Sequence, residues 1–165
     1  MTAPSPSKAE LWQVLAARLS SELEAVRRAH QETQRGATHE EAKPENDKDT
    51  RALEQSYLAR GQALRVEELA QGLAGVIALP LRDFAEDAPI ALGALVTLEN
   101  ADGSGLRVLL APAGAGLRLN DDAGEVRVIT SASPLGRALI GMRVGDSPEY
   151  VGPGGTTAIT VVSVE

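Results

Sequence analysis

The chain has 165 residues, length for one ordinary domain or two small ones, and a formal net charge of −7 that disfavours a phosphate backbone as its primary partner. Hydrophobic residues make up 43%, so a packed core is affordable, but aromatic residues make up only 2%: Trp12, Tyr57, Phe84 and Tyr150. That scarcity argues against an aromatic-lined ligand pocket and against base-stacking platforms. The absence of cysteine excludes thiolate zinc sites and thiol nucleophiles and fits a reducing compartment. Residues 1–7 carry no basic or apolar run of the secretory kind and are expected to be disordered, and no apolar run is long enough to span a bilayer. A cytoplasmic protein is expected.

Ser7-Lys8-Ala9-Glu10 has the Ser-x-x-Glu form of a capping box. Trp12, Leu15, Leu19, Leu23 and Val26 then recur in steps of three and four, one helical stripe. No Pro or Gly interrupts before Gly36, so the first helix is predicted from about residue 8 to the late thirties. Pro44 suits a first helical turn, and Asp47 and Asp49 complement the dipole there, so a second helix starts nearby. Leu53, Tyr57 and Leu64 form one stripe of that helix; Leu58, Val66, Leu69, Leu73 and Val76 form another. The pattern predicts an antiparallel coiled-coil hairpin over 8–76. At 1.5 Å per residue, arms of roughly 30 residues reach ~45 Å. Its tip, 38–50, is polar and acid-rich: Glu40, Glu41, Glu45, Asp47 and Asp49 lie there.

A linker, 77–89, is bracketed by Pro80 and Pro89. From 90 to 165 the pattern is β. Ala94–Leu98 and Leu106–Ala111 flank the hairpin signal Asn100-Ala101-Asp102-Gly103-Ser104-Gly105. Leu117–Leu119 and Val126–Thr130 follow, then a short helix capped by Ser133, begun by Pro134 and stopped by Gly141. Ser147–Val151 and Ala158–Val164 close the chain as strands around Gly152-Pro153-Gly154-Gly155. That glycine cluster lacks the Lys-Ser/Thr and helix of a phosphate loop, so it reads as a tight turn, as does Gly114-Ala115-Gly116.

The segment Ser133-Pro134-Leu135-Gly136-Arg137-Ala138-Leu139-Ile140-Gly141-Met142-Arg143-Val144-Gly145-Asp146 resembles the "SPIARALLGKKVGD" stretch of the bacterial transcript cleavage factors of the Gre type. Pro153-Gly154-Gly155 resembles the closing hairpin of that family, and Val96-Thr97-Leu98-Glu99-Asn100 its first strand. The similarity covers about residues 8 to 165. It implies an α+β architecture: a coiled-coil hairpin followed by a small FKBP-like antiparallel β domain with one short helix. It also implies a partner, bacterial RNA polymerase, whose secondary channel the hairpin enters while the β domain docks at the rim.

In the family, two acids in an "Asp-Leu-Ser-Glu-Asn" tip motif help hold the polymerase's catalytic magnesium during cleavage of backtracked RNA. The matching positions are Ala42-Lys43-Pro44-Glu45-Asn46. Glu45 and Asn46 match, Ala42 replaces the Asp, and Glu41 stands one residue away. Glu45 and then Glu41 are the expected catalytic and metal-binding residues, acting in trans on magnesium shared with the polymerase. Carboxylate oxygens suit that ion, which commonly takes one or two protein carboxylates beside phosphates and water. The protein is expected to need no cofactor of its own, to be an accessory factor and not an enzyme, to touch nascent RNA only indirectly, and to be a monomer.

Other constellations carry less. His30 and His39 read as residues of solvated helix faces, and no nucleophile elbow is present. Arg18, Arg27, Arg28, Arg35, Arg51, Arg60 and Arg65 read as solvated charges balanced by Glu22, Glu24, Glu32 and Glu54. Two alternatives stand beside the polymerase reading: a prolyl isomerase of FKBP type, and a non-catalytic coiled-coil interaction module.

Overall fold

The computed structural model describes residues 8–40 and 48–165. Two long helices, α1 (Lys8–Glu40) and α2 (Lys48–Ala78), precede six strands: β1 (Leu95–Asn100), β2 (Gly105–Leu110), β3 (Arg118–Asp121), β4 (Gly124–Ile129), β5 (Glu149–Gly152) and β6 (Gly155–Val164). A one-turn helix, α3 (Pro134–Leu139), lies between β4 and β5. The chain divides into two compact units. Described residues up to Ala16 join Gly75–Glu165 in one, and those between Ala17 and Ala74 form the other.

In the first unit the strand order is β3-β4-β2-β1-β6-β5. All neighbours are antiparallel except β2 and β4, which run parallel with Val108 opposite Arg127 and Leu110 opposite Ile129. The sheet is therefore mixed, where an antiparallel one is expected. Its alternation separates two apolar faces. Val96, Leu98, Val108, Leu110, Ile129, Ile159 and Val161 meet Leu135 and Leu139 of α3, with Ile90, Phe84 and Met142 at the margin. On the alternate positions Leu95, Leu109, Val126 and Val128 are also buried.

Local chemistry fixes the turns. Gly103 has φ +81°, its N–H donates to the Asn100 carbonyl at 2.9 Å, and Asp102 Oδ1 accepts from the Ser104 N–H and hydroxyl, closing the β1–β2 hairpin. Leu117 N–H donates to the Gly114 carbonyl at 3.0 Å, so Gly114-Ala115-Gly116 is a turn. Ser133 Oγ accepts from Gly136 N–H at 3.0 Å and Pro134 opens α3, where a missing N–H costs nothing. Gly141 follows the cap at φ +82°.

In the second unit α1 and α2 run antiparallel, with Glu22 of α1 paired to Arg65 of α2 at 2.7 Å. Leu19, Leu23 and Leu69 are its buried hydrophobic members.

Candidate functional site

The heptad logic of a helix pair places the site residues. Along α1 the less exposed positions of this unit include Leu19, Leu23, Val26, His30 and Thr33; along α2 they include Gln55, Ala59, Gln62, Val66, Leu69 and Leu73. Both runs advance in steps of three and four, as a two-helix seam requires. The seam changes character along its length. Near Leu19 and Leu69 it is aliphatic. Toward the distal end it is built from His30, Thr33, Gln55, Ala59 and Gln62. His30 Nδ1 and Gln62 Oε1 are both buried.

Two expectations are corrected here. His30 is half-buried in the seam and not on a solvated face, because positions 30 and 33 continue the three-and-four spacing of the stripe Leu19, Leu23 and Val26. The stripe Leu53, Tyr57 and Leu64 is exposed and does not pack on α1; at this end of α2 the inner face falls to Gln55, Ala59 and Gln62. Helical geometry puts Leu53 and Tyr57 about 200° around the axis from Gln55 and Ala59.

The expected tip residues Glu41, Glu45 and Asp47, with Ala42, lie outside the described residues, as do 1–7. Glu40 is the last residue of α1, and Asp49 lies in the first turn of α2. The described arms therefore lead to the tip from both sides. Among the described residues, no group of three or more His, Asp or Glu side chains could hold a metal ion. No described helix is long and apolar enough to cross a membrane.

The basic residues Arg18, Arg27, Arg28, Arg35, Arg51, Arg60 and Arg65 are exposed. Arg65 contacts Glu22 at 2.7 Å and Glu68 at 3.7 Å. With side chains about half exposed, such a pair fixes helix register more than it adds stability, on the order of 0–1 kcal/mol.

In the other unit, one charged pair ties strands that are not neighbours. Arg107 on β2 donates to Asp121 on β3 at 2.5 Å, past the intervening β4, where Gly124 stands opposite Asp121. The Asp121 side chain is 2% exposed and also accepts from Ala123 N–H at 2.9 Å. The Arg107 hydrogen bond, against the opposing effect of burial, holds its carboxyl below the ordinary value of 3.8. The periodicity of the sequence carries no trace of this pair.

A helical hairpin unit and a six-stranded domain with one short helix define the class of this protein: a two-helix arm joined to a β domain. Residues 86–165 match the family described as transcription elongation factor GreA/GreB, C-terminal domain. Solved structures similar to the chain include GreA factor homolog 1 (Gfh1) of Thermus thermophilus, 28% identical over 91% of this chain and 94% of that one, TM-score 0.40. Gfh1 of Thermus aquaticus is 28% identical over 90% of this chain and 92% of that one, TM-score 0.39. The GreA/GreB elongation factor of Nitrosomonas europaea is 19% identical over 58% of this chain and 78% of that one, TM-score 0.37. No curated protein matches.

Proposed function

We propose that this protein is a divergent Gre-type transcription elongation regulator that binds bacterial RNA polymerase. The observation that carries the reading is the match of residues 86–165 to the GreA/GreB C-terminal family. The two long helices before that domain are what the Gre resemblance calls for.

In this reading the helical arm enters the secondary channel of the polymerase and brings the 38–50 tip to the active site. The protein is an accessory factor, cytoplasmic like its partner, and acts on a catalytic centre that belongs to the polymerase. Glu45 and Glu41 would approach the magnesium there; a metal pair in such a site activates water and steadies the leaving oxygen. The chain supplies carboxylate oxygens, the donor type magnesium takes. With Ala42 where the family has Asp, the donor set differs from the family's, and the arm acts either by stimulating cleavage of backtracked RNA or by obstructing the channel.

A prolyl-isomerase reading is not favoured: Tyr150 is the only aromatic residue from 90 to 165, too few for an aromatic-lined peptide pocket.

The test is RNA cleavage in stalled elongation complexes, with and without the protein. Cleavage above the level of polymerase alone marks a stimulator, and cleavage below it an inhibitor. Failure to associate with core polymerase would end the proposal.

A further inference from the structure

Arg82, Arg107, Arg118, Arg127, Arg137 and Arg143 belong to the unit that holds the sheet. All but Arg127 have a side-chain partner there. Arg107 pairs with Asp121 and Arg118 with Glu125. Arg137 donates to the carbonyl of Ala132, Arg143 donates to that of Asp87, and Arg82 lies 5.0 Å from the centre of the Phe84 ring. Among the described residues the Arg127 guanidinium has no hydrogen-bond or ion-pair partner, although the residue is half-buried. Arginine is always charged and is seldom drawn out of water unpaired. Arg127 shares a face of β4 with Ile129, the α3 side of the sheet, and stands opposite Val108 of β2 and Arg118 of β3. Like charges directly opposite in an antiparallel pair repel. Glu125, two residues back on the same face of β4, is held to Arg118 at 3.2 Å. β3 is the outermost strand on this side, so the patch is open at the edge of the sheet.

We infer that Arg127, with Arg118 beside it, is a docking subsite for a carboxylate of the partner protein. An acidic side chain on an exposed segment of the polymerase accepts from the Arg127 guanidinium when the β domain docks. The inference rests on the polymerase reading above and names a point of contact within it. The guanidinium fork matches two carboxylate oxygens, a pairing that adds orientation as well as energy. A carboxylate placed there also offsets the Arg118–Arg127 repulsion, which Glu125 relieves only on the Arg118 side. A phosphate would offer similar oxygens, but the surroundings oppose a nucleic-acid backbone. The chain carries a net charge of −7, and no lysine follows Lys48 in the sequence. The patch is therefore two arginines with an acid among them, not the basic stripe that a polyanion requires.

The experiment measures association of the full chain with core polymerase over a salt series, for wild type, Arg127→Glu, Arg127→Met and Glu125→Gln, with thermal melts of the free proteins alongside. Arg127→Glu should weaken association roughly tenfold or more at low salt, because like charges then meet across the contact. Arg127→Met should weaken it less and flatten its salt dependence. Glu125→Gln releases Arg118 and removes the acid from this face of the two strands, so it should tighten association. Arg127→Met should melt no lower than wild type, since it breaks no bond within the chain and ends the repulsion from Arg118. An Arg127→Glu variant that binds like wild type, or an Arg127→Met variant that melts lower, would overturn this inference and leave the polymerase reading standing. A wild type that does not associate at all would overturn both. So would a different occupant sink the inference: a free wild-type chain that binds a single-stranded RNA oligomer, with that binding lost in Arg127→Glu, would assign the subsite to a phosphate backbone.

Discussion

The indole Nε1 of Trp12 donates a 3.0 Å hydrogen bond to the carbonyl oxygen of Val76, 64 residues further along the chain. Val76 is among the last residues of α2, whose final carbonyls have no partner within the helix. A side chain from the start of α1 therefore caps the end of α2. Trp12 is 6% exposed and Val76 0%, so neither group can exchange the bond for water. The Trp12→Phe variant keeps most of the apolar volume and removes the donor. It should lower unfolding stability by about 1–3 kcal/mol, the cost of a buried acceptor left unpaired. Urea denaturation followed by circular dichroism measures it.

Gly114 is the second point where backbone and helix meet. Its φ is +89°, and a Cβ there would stand 2.7 Å from Leu15 Cδ1 and 3.5 Å from Val128 Cγ1. Gly114→Ala should cost roughly 1–2 kcal/mol from backbone conformation alone. Leu15, at 0% exposure, has little room to yield, so the full loss should exceed that of Gly103→Ala, where the turn is open. Thermal melts of the two variants make the comparison.

The Arg107–Asp121 pair predicts a pH dependence. The folded value of Asp121 is depressed, so its contribution is present above the unfolded value, near 3.8, and is lost as pH falls through the folded value. Wild type should lose stability on acidification below about pH 4, and Asp121→Asn should show a flatter profile there. At neutral pH the Arg107→Met variant should be destabilised by roughly 1.5–3 kcal/mol, the scale of a hydrogen bond to a charged group. The effect should shrink when Asp121→Asn is already present.

At the tip, Glu45→Ala should reduce the effect of the protein on RNA cleavage by at least tenfold, about 1.4 kcal/mol of barrier, with Glu41→Ala next in severity. Binding to core polymerase should be unchanged in both, because the β domain carries the docking surface in this account. Cleavage assays in stalled complexes, paired with a binding measurement, separate the two quantities.

Much of the fold was legible because its punctuation is local. Ser133 and Pro134 announce α3, Gly103 the β1–β2 turn, and the unbroken run from Lys8 toward Gly36 a long helix. Strand direction was not legible. Leu106, Val108 and Leu110 alternate in the same way whether their neighbour is parallel or antiparallel, so the β2–β4 pairing is invisible to periodicity. The polar end of the helical seam was missed for a related reason. Ala59, Gln62 and His30 hold the inner positions, while the larger apolar Leu53, Tyr57 and Leu64 drew the eye to the opposite face. A strict count of three-and-four steps from Leu69 and Leu73 backward would have found Gln55, Ala59, Gln62 and Val66. The Arg107–Asp121 link joins residues on non-adjacent strands, and only the strand order reveals it. Glu45 and Glu41 were reached through resemblance, not through periodicity.

The claim that the arm delivers its tip to the catalytic centre of the polymerase is best tested by a chemical probe at that tip. A Lys43→Cys variant of this cysteine-free chain can carry a tethered iron chelate that generates hydroxyl radicals. Bound to core polymerase, it should cut the polymerase polypeptide beside the active-site magnesium. Cuts confined to the outer surface of the polymerase, or none at all, would contradict the account.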